Sequence, residues 1–303
     1  MNKIPVGATI AHAYRFAFGK FPALLGIAWL PFAILIAGSL LVARQSILLS
    51  AAMAGRNFSG MGSTLLILIP FYIVTLVLTL MQFAGMTEEA LGTRKGSRFF
   101  YFNLGRPLWR LAGTFVLFLL VAIGMIIGAV VGVAAISFLG GLAGTVGRGI
   151  AVAVGTIAIY LGLIYAWVRA SFLLSPVAIA EDRIGLGRAW SLGKGNFWRV
   201  FLILLAILVP VTVIDILFMF GFVWDGMPPA APAGATPAQL QAAQAAAQAW
   251  NAAMTARMTH YWFITYPFFL IFTLLFFGLI VGAQAFAYRA LIPDHEDAAE
   301  AFS

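Results

Sequence analysis

Six long runs of apolar residues, separated by short polar segments, organise the chain. They extend over residues 23–42, 64–86, 111–139, 150–168, 200–223 and 262–288, and only the fifth contains a charged residue, Asp215. A helix that crosses roughly 30 Å of hydrocarbon needs about 20 such residues. The pattern therefore predicts an all-α membrane protein with six transmembrane helices, in which residues 1–303 form a single integral membrane domain.

The composition supports this prediction and limits the kinds of site that the chain can form. Hydrophobic residues make up 63% of the chain and charged residues 9%, with a mean hydropathy of +1.01. Soluble domains carry about 25% charged residues, so this chain could not cover a water-facing surface. Because it has no cysteine and only three histidines, we expect no disulfide, no metal site and no cofactor.

The distribution of lysine and arginine predicts the orientation. Fourteen of the 18 basic residues lie in the N-terminal segment, the second and fourth loops and the C-terminal tail, which all fall on one side. By the positive-inside rule, both termini are expected to be cytoplasmic. The net charge of +8 lies beside membrane segments, so anionic lipid headgroups explain it better than nucleic acid does.

Three similar segments precede the first, third and fifth runs, at residues 13–21, 99–107 and 189–197. Each has an aromatic residue five positions before a glycine, namely Gly19, Gly105 and Gly195. Glycine suits the left-handed position that ends a short helix, while Pro22, Pro107 and Asn196 suit the start of the next helix. We therefore predict three helical hairpins in a parallel threefold repeat, each preceded by a short interfacial amphipathic helix. Chance similarity is the alternative.

In this arrangement, basic and aromatic side chains of the short helices would contact lipid headgroups. The predicted lipid-contacting residues are Arg15, Lys20, Arg106, Arg110, Arg188, Trp190, Lys194, Trp198 and Arg199, and Tyr14 and Tyr101 would lie at the same depth. Acidic residues follow the second, fourth and sixth runs: Glu88, Glu89, Glu181, Asp182, Asp294, Glu296 and Asp297. They either complement helix dipoles and pair with neighbouring basic residues, which we favour, or converge on a cation site.

One stretch resembles a known family. Residues 169–183 read RASFLLSPVAIAEDR, and RAWSL at 188–192 and GNFWR at 195–199 follow. The pattern resembles the membrane domain of bacterial glycerophosphoryl diester phosphodiesterases and its stand-alone relatives. The resemblance implies a multipass protein of the bacterial inner membrane with a lipid or envelope connection. In that family a separate soluble barrel performs the hydrolysis. This sequence ends fifteen residues after the last apolar run, so we expect no phosphodiesterase activity.

Two charged residues are candidates for a functional role inside the membrane. Asp215 in the fifth run either handles a proton or cation, with Arg44 or Arg148 as partner, or forms a structural salt bridge near the outer interface. Arg169 ends the fourth run, but the apolar residues 170–180 follow it. It would bind a lipid phosphate, pair with an acid such as Glu181, or extend its guanidinium to the membrane surface.

Two further segments carry structural predictions. Gly124, Gly128 and Gly132 recur every four residues and predict a close helix contact, either within the chain, which we favour, or between subunits. Residues 225–260 form the longest polar segment, an extracytoplasmic Pro/Ala/Gln-rich loop. There Thr236 as cap and Pro237 as first residue predict a surface helix to about Met258. Its less polar face would carry Leu240, Ala243, Ala247, Trp250, Met254 and Met258.

No converging set of acid, base and nucleophile is evident, because the three histidines lie in different segments and no catalytic motif is present. The sequence favours a lipid-associated scaffold or accessory protein of the envelope over an enzyme. The alternative is a small-solute or ion transporter or channel with a path near Asp215. Anionic membrane lipids are the expected partners, and a protein partner or homo-oligomer stays open.

Overall fold

The computed structural model describes residues 3–54, 61–94, 101–141, 144–223, 232 and 234–292. Within these ranges the secondary structure is helical: α1 (Val6–Gly19), α2 (Phe21–Ala54), α3 (Met61–Ala90), α4 (Arg106–Gly141), α5 (Gly144–Ser171), α6 (Leu174–Ala180), α7 (Leu186–Leu192), α8 (Phe197–Phe218), α9 (Pro237–His260) and α10 (Trp262–Leu291). A π-helical turn, Met219–Val223, extends α8.

Six segments are long and apolar enough to cross a membrane, as expected of a multipass membrane protein. They are Phe21–Val42, Met61–Ala90, Arg106–Gly141, Gly144–Ala180, Phe197–Gly221 and Trp262–Leu291. The all-α prediction with six spanning helices is thus confirmed. The fourth segment combines α5 and α6, which are separated by a turn at Phe172–Leu173, so the apolar run does continue past Arg169.

Helix α10 lies at the centre of the bundle. Helices α2 and α3 pack extensively against each other, as do α4 and α5, whereas α10 packs more extensively on α1 than on α8. One core cluster includes Leu24, Met81 and Leu274, which join α2, α3 and α10. A second includes Ile203 and Ala283, which join α8 and α10. The third pair of long helices, α8 and α10, therefore packs together less extensively than the first two pairs, α2 with α3 and α4 with α5. The threefold repeat stays a prediction.

The contact between α1 and α10 depends on two glycines. A Cβ atom added at Gly282 would lie 2.9 Å from Cδ1 of Phe16 and 3.3 Å from Cα of Ala13. One added at Gly278 would lie 3.4 Å from Cβ of Ala17 in α1, and 2.8 Å from Cδ1 of Leu24 in α2. Glycines spaced by four residues let two helix backbones approach closely. Helix α1 consequently buries one whole face along α10, comprising Thr9, Ala13, Phe16 and Ala17.

The predicted helix-glycine-helix unit is only partly correct. Gly195 has a φ of +76°, in the left-handed region, but Gly19 and Gly105 do not have positive φ, so the prediction is wrong there. At Gly19 the α1 hydrogen-bond pattern runs on, because Lys20 N–H donates to the Phe16 carbonyl at 2.9 Å. Before Gly105, residues 101–104 are not helical. Tyr101 is buried there instead of facing lipid, and its hydroxyl donates to Glu88 at 3.1 Å.

The starts of the next helices follow the sequence more closely. Pro22 and Pro107 are the second residues of α2 and α4, and Asn196 directly precedes α8. Asn196 does not cap α8 with its side chain, whose Oδ1 accepts the Ile4 N–H at 3.1 Å instead. That bond ties the start of the chain to α8.

Helix α9 begins as its sequence predicts. The Thr236 hydroxyl accepts the Gln239 N–H, and the Gln239 side chain accepts the Thr236 N–H at 2.8 Å, which is a capping box. No residue of α9 is buried, so it is a surface helix. Its extracytoplasmic position stays a prediction.

The close contact predicted from the α4 glycines occurs at one of the three. A Cβ atom at Gly132 would lie 3.1 Å from Cδ1 of Ile159 in α5. At Gly124 and Gly128 it would meet nothing within 4 Å, so no close contact within the chain is seen there among the described residues. A contact between subunits at these two glycines stays a prediction. A glycine nearer the loop that joins α4 and α5 does allow close packing, since a Cβ atom at Gly140 would lie 3.1 Å from Cα of Arg148.

Candidate anion-binding site

Cationic residues collect at one end of the bundle, which we call the basic face. Interhelix bonds show that the helix ends meet there: Arg199 donates to the Ile4 carbonyl at 2.7 Å, and Arg289 donates to the Ala90 carbonyl at 3.3 Å. Among the described residues this face carries four acids, Glu88, Glu89, Glu181 and Asp182. It carries twelve bases: Lys3, Arg15, Lys20, Arg94, Arg106, Arg110, Arg169, Arg183, Arg188, Lys194, Arg199 and Arg289.

Each of these four acids already has a partner. Glu89 pairs with Arg94 at 3.2 Å, and Glu181 pairs with Arg183 at 2.5 Å and Arg188 at 3.1 Å. Asp182 pairs with Arg110, and Glu88 accepts the Tyr101 hydroxyl. The expectation that these acids pair with neighbouring basic residues is confirmed for Glu89 and Glu181. Glu88 instead accepts a tyrosine hydroxyl, and the partner of Asp182 lies 72 residues away in the sequence. The described part of the chain holds no group of three metal-binding side chains, and Asp294, Glu296 and Asp297 lie outside it.

A pocket of about 400 Å³ opens on the basic face between α1, the end of α3 and the end of α10. We call it the basic pocket. It is lined by His12, Arg15, Phe16, Gly19, Lys20, Glu89, Ala90, Gly92, Arg94 and Arg289. One helical face of α1 supplies His12, Arg15 and Gly19, because residues three and four apart are neighbours on a helix. The packing of α1 on α10 therefore decides whether these side chains reach Arg289.

The end of α3 shapes one wall of the pocket. Thr93 N–H donates to the Glu88 carbonyl at 2.9 Å and Gly92 N–H donates to the Glu89 carbonyl at 3.1 Å. This pair of bonds is a Schellman motif, in which Gly92 takes the left-handed position with a φ of +68°. The Arg289 guanidinium bonds the last carbonyl of α3, where it complements the negative end of the helix dipole.

The described lining of the pocket holds more cations than acids. Glu89 pairs with Arg94, while Arg15 and Lys20 have no ion pair among the described residues. His12 stacks on Phe286 with ring centroids 4.8 Å apart. Burial lowers the pKa of His12 below its usual value, and the positive charges of Arg289 and Arg15 lower it further. An anion would relieve this repulsion, and His12 could then donate a proton to it.

Arg169 occupies a different place on the same face. Its Nη1 donates to the Tyr165 hydroxyl at 2.8 Å and its Nε donates to the Trp190 carbonyl at 3.2 Å. The guanidinium carbon lies 4.2 Å from the centroid of the Trp190 ring, a cation–π contact. Within the described residues Arg169 does not pair with Glu181. Its main role in this structure is to join α5 to α7.

The other predicted lipid-contacting residues fall into two groups. Arg106, Lys194 and Trp198 are exposed on the basic face, and Trp198 is 71% exposed. The remaining three are bonded within the protein: Arg110 and Arg188 in ion pairs, and Arg199 to the Ile4 carbonyl. Tyr14 also bonds internally, since its hydroxyl donates to the Ala206 carbonyl at 3.2 Å.

Asp215 lies far from the basic face. It is eighteen residues into α8 from Phe197, or about 27 Å along the helix. Its side chain is half-exposed, and neither Arg148 nor another described cation forms an ion pair with it. The side chain of Arg44, the other expected partner, lies outside the described residues.

An apolar cleft of about 500 Å³ lies between the α4–α5 hairpin and the body of the bundle. Its charge-free lining includes Leu80, Phe115, Trp167 and Phe277. The polar side chains are Thr79, Ser171, Ser175 and Gln284, and the Ser175 hydroxyl donates to Oε1 of Gln284 at 2.7 Å. Asp215 lines neither this cleft nor the basic pocket.

The sequence alone identified Arg15 and Lys20 but missed His12, Arg94 and Arg289. The sequence could not show that these residues line one pocket, because they come from opposite ends of the chain. The three-residue spacing of His12 and Arg15 on a predicted helix was the available signal.

No family model, no curated protein and no solved structure matches this chain. The resemblance to the phosphodiesterase membrane domain therefore stays a prediction.

Proposed function

We propose that this protein is a lipid-associated scaffold or accessory protein of the bacterial inner membrane, which binds anionic headgroups at a cytoplasmic basic face. The observation that carries the proposal is the excess of cations there. Five exposed cations, Lys3, Arg15, Lys20, Arg106 and Lys194, have no ion pair among the described residues, while the four described acids are all engaged.

An anionic membrane surface supplies the negative charges that the basic face lacks. A basic residue close to an anionic membrane surface contributes about 1 kcal/mol to binding, which is roughly fivefold in affinity. The six apolar helices hold the basic face at a fixed depth, so its charges meet headgroups rather than soluble anions alone. Trp198 and Trp109, which are 71% and 61% exposed, are the residue type found at this depth.

The alternative of transport finds weaker support in the structure. A path for ions requires polar or charged groups along its length. The apolar cleft has a lining without charge and Asp215 lies outside it. The cleft thus favours hydrocarbon, such as a lipid acyl chain, over a hydrated ion.

Lipid retention tests the proposal. The protein is purified in detergent, exchanged into phosphatidylcholine nanodiscs with or without phosphatidylglycerol, and its bound lipids are counted by native mass spectrometry. We expect enrichment of the anionic lipid around the wild-type protein and less enrichment in a variant with Arg15, Lys20, Arg106 and Lys194 all changed to Gln. Equal retention of both lipids by the wild type would refute the proposal.

A further inference from the structure

We propose that the apolar cleft binds one acyl chain of an ester lipid, with the uncharged ester carbonyl hydrogen-bonded to Gln284. This site goes beyond the proposed function, because it lies among the spanning helices and recognises the tail of a lipid rather than its headgroup. The cleft has a volume of about 500 Å³, and its lining comes from α3, α4, α5, α6, α8 and α10. Ligand pockets are typically apolar clefts of about 300–1,000 Å³ with a few polar groups, and this cleft has that character.

A buried amide in the cleft lining has a donor group that the protein leaves unused. Gln284 is 6% exposed and lines the cleft, and its Oε1 accepts the Ser175 hydroxyl at 2.7 Å. No described residue accepts a hydrogen bond from its Nε2 amino group. The Ser171 hydroxyl, in the same lining, also has no hydrogen bond among the described residues. Because a buried donor without an acceptor is costly, these two groups indicate a ligand that supplies an acceptor oxygen.

The rest of the lining selects against charge. Of the eighteen described residues that line the cleft, fourteen are apolar and none is charged. The Thr79 hydroxyl is already bonded to the Thr75 carbonyl of its own helix at 2.8 Å. A phosphate, an ammonium group or a hydrated ion would lose its solvation here without gaining a charged partner. An ester carbonyl accepts hydrogen bonds and carries no charge, so it fits both the donors and the apolar walls.

The polar and apolar parts of the cleft are arranged as in a lipid of the leaflet beside the basic face. Gln284 lies seven residues before Leu291, the last residue of α10, or about 10 Å along the helix. Phe277 lies fourteen residues before the same end, or about 21 Å along the helix. Ser175 is at the level of Gln284 because the two side chains are bonded. A carbonyl at Gln284 would therefore have its chain extending past Phe277 toward the middle of the membrane.

The size and the opening of the cleft fit one acyl chain. A cavity of about 150 Å³ accommodates benzene, which has six carbon atoms, so the cleft has room for about 20 atoms. That number corresponds to one long acyl chain with its carbonyl, and not to two chains. Trp167 and Leu208 line the cleft and are also exposed, so the cleft opens on the outer surface of the spanning helices. A lipid of the bilayer can enter it sideways.

Two matched pairs of variants form the test. Leu208→Trp fills part of the cleft, whereas Leu205→Trp places the same side chain on the exposed surface of α8 outside it. Gln284→Leu removes the amide that lines the cleft, whereas Gln82→Leu removes a buried amide that does not line it. All variants are first checked for the wild-type elution profile and helicity.

The probes are ester-linked phosphatidylcholine and its ether-linked analogue, which has the same headgroup and chains but no carbonyl. Each lipid is titrated into the delipidated protein in detergent, and binding of the first lipid is followed by native mass spectrometry. We expect the wild type to bind the ester lipid about two- to tenfold more tightly than the ether lipid, because one hydrogen bond distinguishes them. Gln284→Leu should abolish this preference, and Gln82→Leu should retain it.

Filling the cleft should act on both lipids alike. We expect Leu208→Trp to weaken the binding of each lipid about tenfold relative to Leu205→Trp, because the added ring overlaps with the chain. Equal losses in these two variants, equal binding of the ester and ether lipids by the wild type, or an ester preference that survives in Gln284→Leu would each overturn the proposal. None of these results would affect the proposed function, because phosphatidylcholine has no net charge and the basic face is the same in all four variants. Conversely, equal retention of anionic and neutral lipids would overturn the proposed function and leave the cleft site standing.

Discussion

Replacing Gly282 by alanine tests whether the α1–α10 contact holds the protein together. The added Cβ atom would lie 2.9 Å from Cδ1 of Phe16, 3.1 Å from its Cβ and 3.3 Å from Cα of Ala13. Carbon atoms in favourable contact lie about 3.5 to 4.0 Å apart. Because Phe16 is only 7% exposed and Ala13 contributes backbone, α1 itself has to shift. Overpacking of this kind costs about 1–3 kcal/mol.

Gly124→Ala is the matched control. Gly124 also lies inside a long apolar helix, but its new Cβ atom would meet nothing within 4 Å. Alanine is favoured over glycine in a helix by about 0.5–1 kcal/mol, and this gain is common to both variants. We therefore expect Gly282→Ala to be less stable than Gly124→Ala by about 1–3 kcal/mol.

The free energy of unfolding is measured by SDS titration in mixed micelles, followed by tryptophan fluorescence. Gly278→Ala should fall between the two variants, because its shortest contact would be with the end of the Leu24 side chain at 2.8 Å, while Cα of Ala17 would lie at an ordinary contact distance of 3.5 Å. If Gly282→Ala unfolds at the same SDS fraction as Gly124→Ala, the glycine contact does not hold α1 on α10.

Four further outcomes follow from individual contacts. Gly92→Ala should lower the free energy of unfolding by about 1–2 kcal/mol in the same titration, because alanine resists a φ of +68°. Tyr101→Phe removes the hydroxyl that donates to the mostly buried Glu88, and we expect a loss of about 1–3 kcal/mol. Because the pKa of His12 is lowered in the folded state, the unfolded chain binds more protons below about pH 6.5. Stability should thus fall as the pH drops through that window, and a pH series should show a flatter profile for His12→Gln. Asp215→Asn should leave anionic-lipid retention in nanodiscs unchanged, since Asp215 lies about 27 Å from the start of α8. A loss of retention would contradict the proposal that the basic face binds the lipid.

The pairing of acids on the basic face shows what local sequence can predict about the site. Glu89 and Arg94 are five residues apart, and Glu181 and Arg183 are two apart, so their ion pairs could be predicted from their closeness in the sequence. Arg110 and Asp182 are 72 residues apart, and the sequence offered no way to choose this partner. Arg169 is a similar case. The sequence left a lipid phosphate, Glu181 and the membrane surface open as its surroundings, while in the folded chain its guanidinium lies over the Trp190 ring.

The sequence by itself determined the six spanning helices and the start of α9. Both follow from local physics: hydrocarbon requires about 20 apolar residues with internal hydrogen bonds, and a capping box needs only Thr236 and Gln239. Only the tertiary structure decided which helix lies beside which. Whether two helices touch depends on the shapes of two surfaces at once, as at Gly282 and Phe16. For that reason Gly124 and Gly282, alike as glycines within apolar helices, have opposite surroundings, and the basic pocket joining His12 to Arg289 emerges only in the folded chain.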